Sequence, residues 1–241
     1  MRKYRWWIGG LLFASTVINY IDRQTVNVLG PYLKTEYHWN NQDFALVVVA
    51  FRAAYALGPT LAGRFLDRVG TRRGLSITVL WYSIAAMLTS LATGLRSLCA
   101  FRFLLGLGES GNWPGATKAV GEWFPASERG LAGGVYNIGA SFGSMLAPPL
   151  VAWAILAFNW RVAFVITGIL GLAWLVLWLL FYQSPEKHRS LTESERNYIA
   201  AGQEKHLQED GTGTSFGKIF KQRNFWGIAL PRFSLTPRGE R

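Results

Sequence analysis

The chain has 241 residues, of which 50% are hydrophobic, 15% aromatic and only 16% charged. Soluble domains carry about 25% charged residues, so this chain is unusually poor in charge. Its high hydrophobic content excludes a disordered or fibrous chain. The single cysteine, Cys99, excludes an internal disulfide framework. In a soluble protein, a formal net charge of +11 would indicate nucleic-acid binding. The positions of the charges decide whether it does so here.

Six apolar stretches predict an all-α membrane protein. A bilayer core of about 30 Å takes roughly 20 apolar residues as a helix. The predicted spans cover residues 6–29, 44–66, 75–93, 97–120, 131–160 and 162–182. Spans 1, 2 and 4 contain isolated charges, which are costly in a bilayer and normally face a protein interior or a wet cavity. We therefore expect these three spans to line a cavity, and spans 3 and 6 to face lipid.

The first span carries Asp22 and Arg23 side by side. Neighbours on a helix differ by about 100°, so the two charges face different directions and need not neutralise each other. Arginine suits a substrate carboxylate, and a desolvated carboxylate can hold a proton near neutral pH. The alternative is a structural ion pair between spans.

The second span contains Arg52 and ends in a tight, basic turn. Arg52 adds a third cation to the cavity or pairs with Asp22 or Glu109, and the sequence leaves both alternatives open. The turn that follows contains Gly63, Arg64, Asp67, Arg68, Gly70, Thr71, Arg72 and Arg73.

The fourth span contains Arg102 and Glu109, whose spacing of seven returns to nearly the same helix face. Residues 106–111 match the dinucleotide pattern G-x-G-x-x-G, but inside an apolar helix these glycines favour close helix packing. Ser110 lies in a G-x-S-G pattern that resembles rhomboid intramembrane proteases. That enzyme hypothesis fails because no histidine lies in a span to act as its base. The three histidines and Cys99 also lack metal-ligand spacing.

The fifth span is rich in glycine. Gly130 and Gly134, and then Gly139 and Gly143, are spaced to let a neighbouring backbone approach. Pro148 and Pro149 are predicted to break or kink the helix, because proline removes a hydrogen-bond donor and clashes with the preceding turn.

Three segments are expected: a six-span bundle over 1–182, a cytoplasmic linker over 183–224, and an aborted seventh span with an aberrant tail over 225–241. The linker includes a short amphipathic helix that starts near Leu191 and runs to about Glu204. Sixteen basic residues lie on the side of the N-terminus and linker, and three lie on the other side. The positive-inside rule therefore places the N-terminus and the tail after span 6 in the cytoplasm. The +11 charge is chiefly a topology signal, and no nucleic-acid partner is expected.

The turn after span 2 resembles the G-x-x-x-D-R-x-G-R-R loop of the major facilitator superfamily, with Thr71 where a basic residue is common. Further motifs look like the anion:cation symporter branch, and within it the chain is most similar to hexuronate transporters. These motifs are residues 19–23, the Arg102 to Glu109 spacing, residues 122–125 and 128–130, Asn137, Gly139, Gly143 and residues 147–150.

The resemblance implies a bacterial inner-membrane symporter, not an enzyme, that takes up a sugar acid such as galacturonate or glucuronate. It needs no cofactor, because the proton gradient supplies the energy. Asp22 and Glu109 are implied as proton carriers, and Arg23 and Arg102 as ligands of the substrate anion. Tyr20, Tyr55 and Asn112 would complete the cavity, or else make interhelical hydrogen bonds. Gly63, Asp67, Arg68, Gly70, Arg72 and Arg73 would form the cytoplasmic gating loop.

Transporters of this superfamily contain two six-span halves, and the residues here resemble the first half. From the abrupt end of span 7 we expect a premature stop or frameshift near Phe233, and hence a fragment that does not transport. The full-length version is expected to be monomeric in the lipid bilayer. The alternative is a half-transporter or scaffold that acts as a homodimer, since two copies in one orientation could pair about the membrane normal.

Overall fold

The computed structural model describes residues 4–188 and 190–203, and all the regular structure in these ranges is α-helical. This confirms the all-α prediction. The helices are α1 (Tyr4–Tyr37), α2 (Asn41–Val69), α3 (Thr71–Thr89), α4 (Leu95–Glu109), α5 (Asn112–Trp123), α6 (Ala126–Ala157), α7 (Trp160–Phe181) and α8 (Glu193–Ala201). The predicted segment 225–241 and most of the predicted linker lie outside the described residues.

Each of the six predicted spans coincides with helix, although only three helices in the described ranges are long and apolar enough to cross a membrane by length and composition alone. These three are α2, α6 and α7. Helix α1 is longer than predicted, since it continues to Tyr37 with Pro31 inside it. Charged side chains interrupt the apolar sequence of α1, and the fourth span is divided between two shorter helices.

The division of the fourth span at Ser110 and Gly111 differs from the continuous helix that we predicted. Pro114, near the start of α5, has no N–H group with which to bond the carbonyl of Ser110. The Ser110 hydroxyl donates to the carbonyl of Leu107 at 2.6 Å, within the last turn of α4. The break follows directly after Glu109, so the last residue of α4 is one of the predicted site residues.

The helices pack most extensively in three pairs, α1 with α6, α2 with α4, and α3 with α7. Glycines of α6 allow the first pair to approach closely. A Cβ atom on Gly139 would lie 2.8 Å from the carbonyl oxygen of Phe13, and one on Gly143 would collide with the carbonyl oxygen of Val17. Gly130 and Gly134, which we also expected to permit a close approach, have no such neighbour within 4 Å in the described part of the chain.

Helix α4 is held by glycines in the same manner. A Cβ atom on Gly106 would lie 2.5 Å from the carbonyl oxygen of Phe51 in α2. On the other side, one on Gly111 would lie 2.7 Å from the hydroxyl of Thr78 in α3. The glycines of the G-x-G-x-x-G pattern therefore serve helix packing, as expected from their place in an apolar helix.

Helix α6 continues through Pro148 and Pro149 and is not broken there. Both prolines lie in the last third of the helix, after the contact of Gly143 with α1. The helix is therefore not broken at these residues, and the alternative of a kink there stays a prediction.

Helix α8 contacts the transmembrane helices at the end of the bundle where α1 begins. We call this end of the bundle the α8 end. The backbone N–H groups of Tyr4 and Arg5 donate to the Glu195 carboxylate at 3.1 and 3.2 Å, which satisfies two of the free donors at the start of α1. The Arg5 guanidinium pairs with Glu195 at 3.0 Å and with Glu128 of α6 at 2.7 Å. Burial lowers the pKa of His188, whose ring lies against Tyr4.

Large apolar side chains are exposed on α3 and α7, in agreement with a lipid-facing position for these spans. Examples are Ile77 and Trp81 on α3, and Val176 and Leu180 on α7. The same helices bury their other faces against each other, where Gly168 and Gly171 of α7 meet Ser83 of α3.

Gly143→Ala tests the packing of α1 on α6. We expect it to lower the free energy of unfolding by about 1–3 kcal/mol, because the added methyl group forces the two backbones apart. Gly134→Ala, on the same helix but without a close neighbour, is the matched control. It should leave stability unchanged or raise it, since alanine is favoured over glycine in helices by about 1 kcal/mol. Thermal unfolding of the purified chain in detergent measures both, and equal melting temperatures would contradict the packing role.

Candidate substrate and proton site

Four charged side chains from two helices meet in the interior of the bundle. Asp22 and Arg23 come from the middle of α1, and Arg102 and Glu109 come from α4. We call these four residues the central charge cluster. Asp22, Arg102 and Glu109 are at most 1% exposed, whereas the side chain of Arg23 is 20% exposed. The structure therefore brings together the four charged residues predicted for the site.

Arg23 and Glu109 form the direct ion pair of the cluster. Two nitrogens of the guanidinium, Nη2 and Nε, donate to the same carboxylate oxygen of Glu109 at 3.0 and 3.2 Å. Arg23 also donates to the side-chain oxygen of Asn19, one turn earlier on α1, at 3.3 Å. The second carboxylate oxygen of Glu109 is buried and has no hydrogen-bond partner among the described residues.

Aromatic rings surround the guanidinium of Arg23. Its carbon lies 4.4 Å from the ring centre of Tyr55, 4.8 Å from that of Tyr20 and 5.3 Å from that of Phe51. The faces of these rings attract a cation without neutralising it. The two tyrosines predicted for the cavity thus contact the most accessible cation of the cluster.

Arg102 occupies a different environment from Arg23. Its guanidinium lies 4.7 Å from the ring centre of Phe51, so this ring contacts both arginines. Its Nε and Nη1 atoms are buried without a hydrogen-bond partner among the described residues. Arg102 interacts electrostatically with Asp22 and Glu109. It therefore acts as an internal counter-ion.

Asp22 faces α7 as well as the rest of the cluster. One carboxylate oxygen, Oδ1, accepts a hydrogen bond from the hydroxyl of Thr167 at 2.9 Å. The other, Oδ2, is buried without a hydrogen-bond partner in the described part of the chain. Asp22 also interacts electrostatically with Arg102 and Glu109, so the two carboxylates influence each other's charge.

Asn112 and Arg52 lie differently from the other predicted residues. Asn112 is 1% exposed and accepts a hydrogen bond from Ser15 of α1 at 2.6 Å, which is the interhelical contact considered as its alternative role. Arg52 is exposed, and within the described ranges no ion pair joins it to Asp22 or Glu109.

The predicted gating loop forms the junction between α2 and α3. Gly70 is the single residue between the helices, and its φ of +83° lies in the region that favours glycine. Asp67 accepts a hydrogen bond from Lys118 of α5 at 2.7 Å, and Arg72 donates to the carbonyl of Leu179 of α7 at 2.5 Å. Arg68 and Arg73 are exposed, and a methyl group added to Gly63 would meet no neighbouring helix or side chain within 4 Å in the described ranges.

Two residues that contact the cluster, Phe51 and Thr167, were not predicted. Phe51 looks like any apolar residue of its span, and the sequence carries no signal that it lies between two arginines. Thr167 is one of the few hydroxyl residues in the uncharged last span, and that isolation is the only sequence feature that distinguishes it.

The chemistry available to the cluster is anion binding that is linked to protonation. The two arginines balance the two carboxylates when both carboxylates are ionised. Each proton that the cluster takes up then raises its net charge by one positive unit. Buried polar atoms normally have a partner. The unpartnered oxygens of Asp22 and Glu109 can take a proton or accept a hydrogen bond from water, and the unpartnered nitrogens of Arg102 can donate a hydrogen bond to water.

Comparisons with known proteins identify the family and the fold. A model of the Major Facilitator Superfamily matches residues 12–236. The galacturonate transporter of Dickeya chrysanthemi is 39% identical over 238 residues, which cover 98% of this chain and 69% of that protein. The hexuronate transporter of Escherichia coli K12 is 39% identical over 241 residues, which cover 98% of this chain and 56% of that protein. The chain thus spans between about half and two thirds of the length of these relatives.

A probable galactarate/D-glucarate transporter of Bacillus subtilis is 34% identical over 246 residues, covering 96% of this chain and 54% of that protein. Among solved structures, a bacterial homologue of the human lysosomal transporter Spinster, in an inward-facing and unoccupied conformation, has a TM-score of 0.73. It is 20% identical, and the match covers 97% of this chain and 51% of that chain, so the likeness concerns the fold.

Two carboxylate-to-amide changes compare the contribution of a buried ion pair to stability with that of an exposed one. Asp67→Asn removes a carboxylate that is 74% exposed, so we expect a loss of about 1 kcal/mol or less in unfolding free energy. Glu195→Gln removes a carboxylate that is 6% exposed and bonded to Arg5, and should cost about 1.5–3 kcal/mol. Chemical denaturation of the purified chain compares the two. Equal losses would contradict the role assigned to the α8 end.

Proposed function

Because the chain belongs to the major facilitator superfamily, we propose that it binds a sugar acid and a proton as part of a proton-coupled transporter. The proposal rests chiefly on one observation, the ion pair between the partly exposed Arg23 and the fully buried Glu109. Arg23 is the cation that can reach a ligand, and it is held by the carboxylate of Glu109, which a proton can neutralise.

Protonation of Glu109 would change what Arg23 can bind. While Glu109 is ionised, two of the guanidinium nitrogens are engaged by its carboxylate. A proton on Glu109 removes the charge that attracts them, and the carboxylate of a substrate can then take its place. Anion and proton are therefore bound together, which is the requirement for symport.

The surroundings of Arg23 suit a sugar acid. The guanidinium provides paired donors for a carboxylate, and the rings of Tyr20 and Tyr55 lie beside it. Their hydroxyl groups are suited to the hydroxyls of a sugar. Relatives that are named as transporters of galacturonate, hexuronates and, as a probable function, galactarate or D-glucarate favour this class of substrate.

Arg102 has a role distinct from that of Arg23 in this proposal. It is 1% exposed and interacts with both carboxylates, so it keeps positive charge in the cluster throughout the cycle. Asp22 is the second proton carrier. Its charge and that of Glu109 are coupled, and a proton on one favours the ionised form of the other.

We also propose an orientation with the α8 end in the cytoplasm of a bacterial cell and the opposite end facing the periplasm. The α8 end carries Arg5, Arg68, Arg73, Lys118 and Arg129, whereas Lys34 and Arg161 lie near the other end. Cytoplasmic loops carry an excess of lysine and arginine, which supports this orientation.

Glu109→Gln tests the coupling. In the unchanged chain, reconstituted in nanodiscs, the affinity for galacturonate should fall as the pH rises, by up to about tenfold per pH unit while Glu109 loses its proton. In Glu109→Gln the affinity should not depend on pH in that range, because Arg23 is released permanently. Isothermal titration with galacturonate over a pH series measures the effect.

Glu36→Gln is the matched control, since Glu36 is an exposed carboxylate near the opposite end of α1. It should show the pH dependence of the unchanged chain. Galacturonate binding that stays pH-dependent in Glu109→Gln would refute the assigned coupling, and absence of binding to the unchanged chain would refute the substrate class.

The orientation is tested by two further variants in a Cys99→Ser background. Glu186→Cys places a thiol after α7, and Glu36→Cys places one at the end of α1, both at exposed positions. In intact spheroplasts, a membrane-impermeant maleimide should label Glu36→Cys and should label Glu186→Cys only after lysis. The reverse pattern would overturn the proposed orientation.

A further inference from the structure

The hydroxyl of Thr167 on α7 is placed to serve Asp22 in both of its charge states. We propose that Thr167 is a positioning residue that sets the pH at which Asp22 takes up and releases its proton. The inference deepens the proposed function, because it rests on Asp22 as a proton carrier, and it assigns a role to a helix that carries no charged residue of the site.

The geometry is that of one donor between two acceptors. Thr167 Oγ1 lies 2.9 Å from Asp22 Oδ1 and 3.0 Å from the carbonyl oxygen of Phe164, one turn earlier on α7. A hydroxyl has a single proton, so it donates to one of these oxygens at a time, while its lone pairs can accept from a third group.

Each charge state of Asp22 then has its own hydrogen-bond arrangement. When Asp22 is ionised, Thr167 donates to Oδ1. When Asp22 carries a proton on Oδ1, that O–H group donates to Thr167 Oγ1, and the threonine hydroxyl turns to the Phe164 carbonyl. The proton comes from the transport pathway and stays on Asp22, and Thr167 changes only its rotation. Asp22 Oδ1 therefore has Thr167 as its hydrogen-bond partner in both charge states.

Other groups that face Asp22 cannot provide this exchange. Arg102 and Glu109 approach it from α4, Arg23 lies next to it on α1, and Tyr82 faces it from α3. The arginines only donate, and Glu109 is itself a proton carrier in the proposed cycle. The phenol of Tyr82 is buried without a hydrogen-bond partner among the described residues, so it does not reach the Asp22 oxygens.

The position of Thr167 also supports a specific role. It is 2% exposed within a helix whose one charged residue, Arg161, lies in its first turn and whose outer face carries large apolar side chains. A threonine in a helix commonly satisfies its hydroxyl with a carbonyl of the preceding turn, and Phe164 offers that bond here. The second bond, across to α1, is the one that local structure does not require.

Infrared difference spectroscopy of the purified 241-residue chain in nanodiscs tests the proposal without any substrate. The carbonyl stretch of a protonated carboxyl group is followed from about pH 4 to about pH 10, a range that includes the pKa of ordinary carboxyl groups and extends well above it. Asp22→Asn identifies the contribution of Asp22. Thr167→Val keeps the branched shape but removes the hydroxyl. Thr167→Ser keeps the hydroxyl and loses the methyl group, so it is the matched control.

We expect the titration midpoint of the Asp22 band to move upward by about one pH unit in Thr167→Val, because the ionised form loses its stronger, charge-assisted hydrogen bond. The band itself should shift to higher frequency. Thr167→Ser should titrate as the unchanged chain does. If Thr167→Val does not accumulate in the membrane, Thr167→Ala replaces it with the same expected shift.

A midpoint in Thr167→Val equal to that of the unchanged chain would overturn the proposal. Thr167→Ser that shifts as far as Thr167→Val would also overturn it, since the effect would then come from packing. An Asp22 band that does not titrate in this range overturns it as well. Galacturonate binding is measured on the same samples, so a shifted Asp22 band without binding refutes the proposed substrate and leaves the role of Thr167 standing.

Discussion

The structure depends on a constraint of charge balance, because four ionisable side chains lie in the interior of a bundle that spans a membrane. An isolated charge in such a place costs several kcal/mol, and that cost falls only if opposite charges lie close. Asp22 and Arg23 are fixed to α1, and Arg102 and Glu109 to α4. The two helices must therefore be held at a defined separation and rotation, and much of the remaining packing serves that purpose.

Glycines provide the required approach. Helix α4 is set against α2 at Gly106, and the junction that follows α4 is set against α3 at Gly111. Helix α1 is set against α6 at Gly139 and Gly143. A methyl group at these positions would move one helix away from its neighbour and with it the carboxylates or guanidinium groups. The break after Glu109 adds a local freedom, because α5 can take its own direction while Glu109 stays at the end of α4. The position of the charges and the irregularity of the helix are thus connected.

The amino-acid sequence predicts those features of the structure for which one residue or one run of residues carries the signal. Long uncharged stretches predict the helices, and charges within such stretches predict the cluster, because a bilayer tolerates a charge only where it faces protein or water. The sequence does not predict the contacts that depend on how each helix is rotated about its axis. Gly130 and Gly134 have the same spacing as Gly139 and Gly143 but face no neighbouring helix among the described residues. Phe51 contacts two arginines although nothing in its span distinguishes it. The break at Ser110 depends on two residues together, since Pro114 lacks the N–H group that would bond the Ser110 carbonyl and the Ser110 hydroxyl bonds the carbonyl of Leu107.

The two arginines illustrate how burial divides roles between chemically identical groups. Both lie against the ring of Phe51, and both belong to the central charge cluster. Arg102 is sealed from the surroundings, so a ligand cannot exchange with its partners without opening the bundle. Arg23 is open on one side and is bound to a carboxylate that a proton can neutralise. In the proposed cycle, an incoming anion competes with Glu109 for Arg23, while Arg102 keeps Asp22 from remaining as an uncompensated charge. In this proposal, coupling follows from the competition alone, since the anion would bind firmly only after Glu109 has accepted a proton.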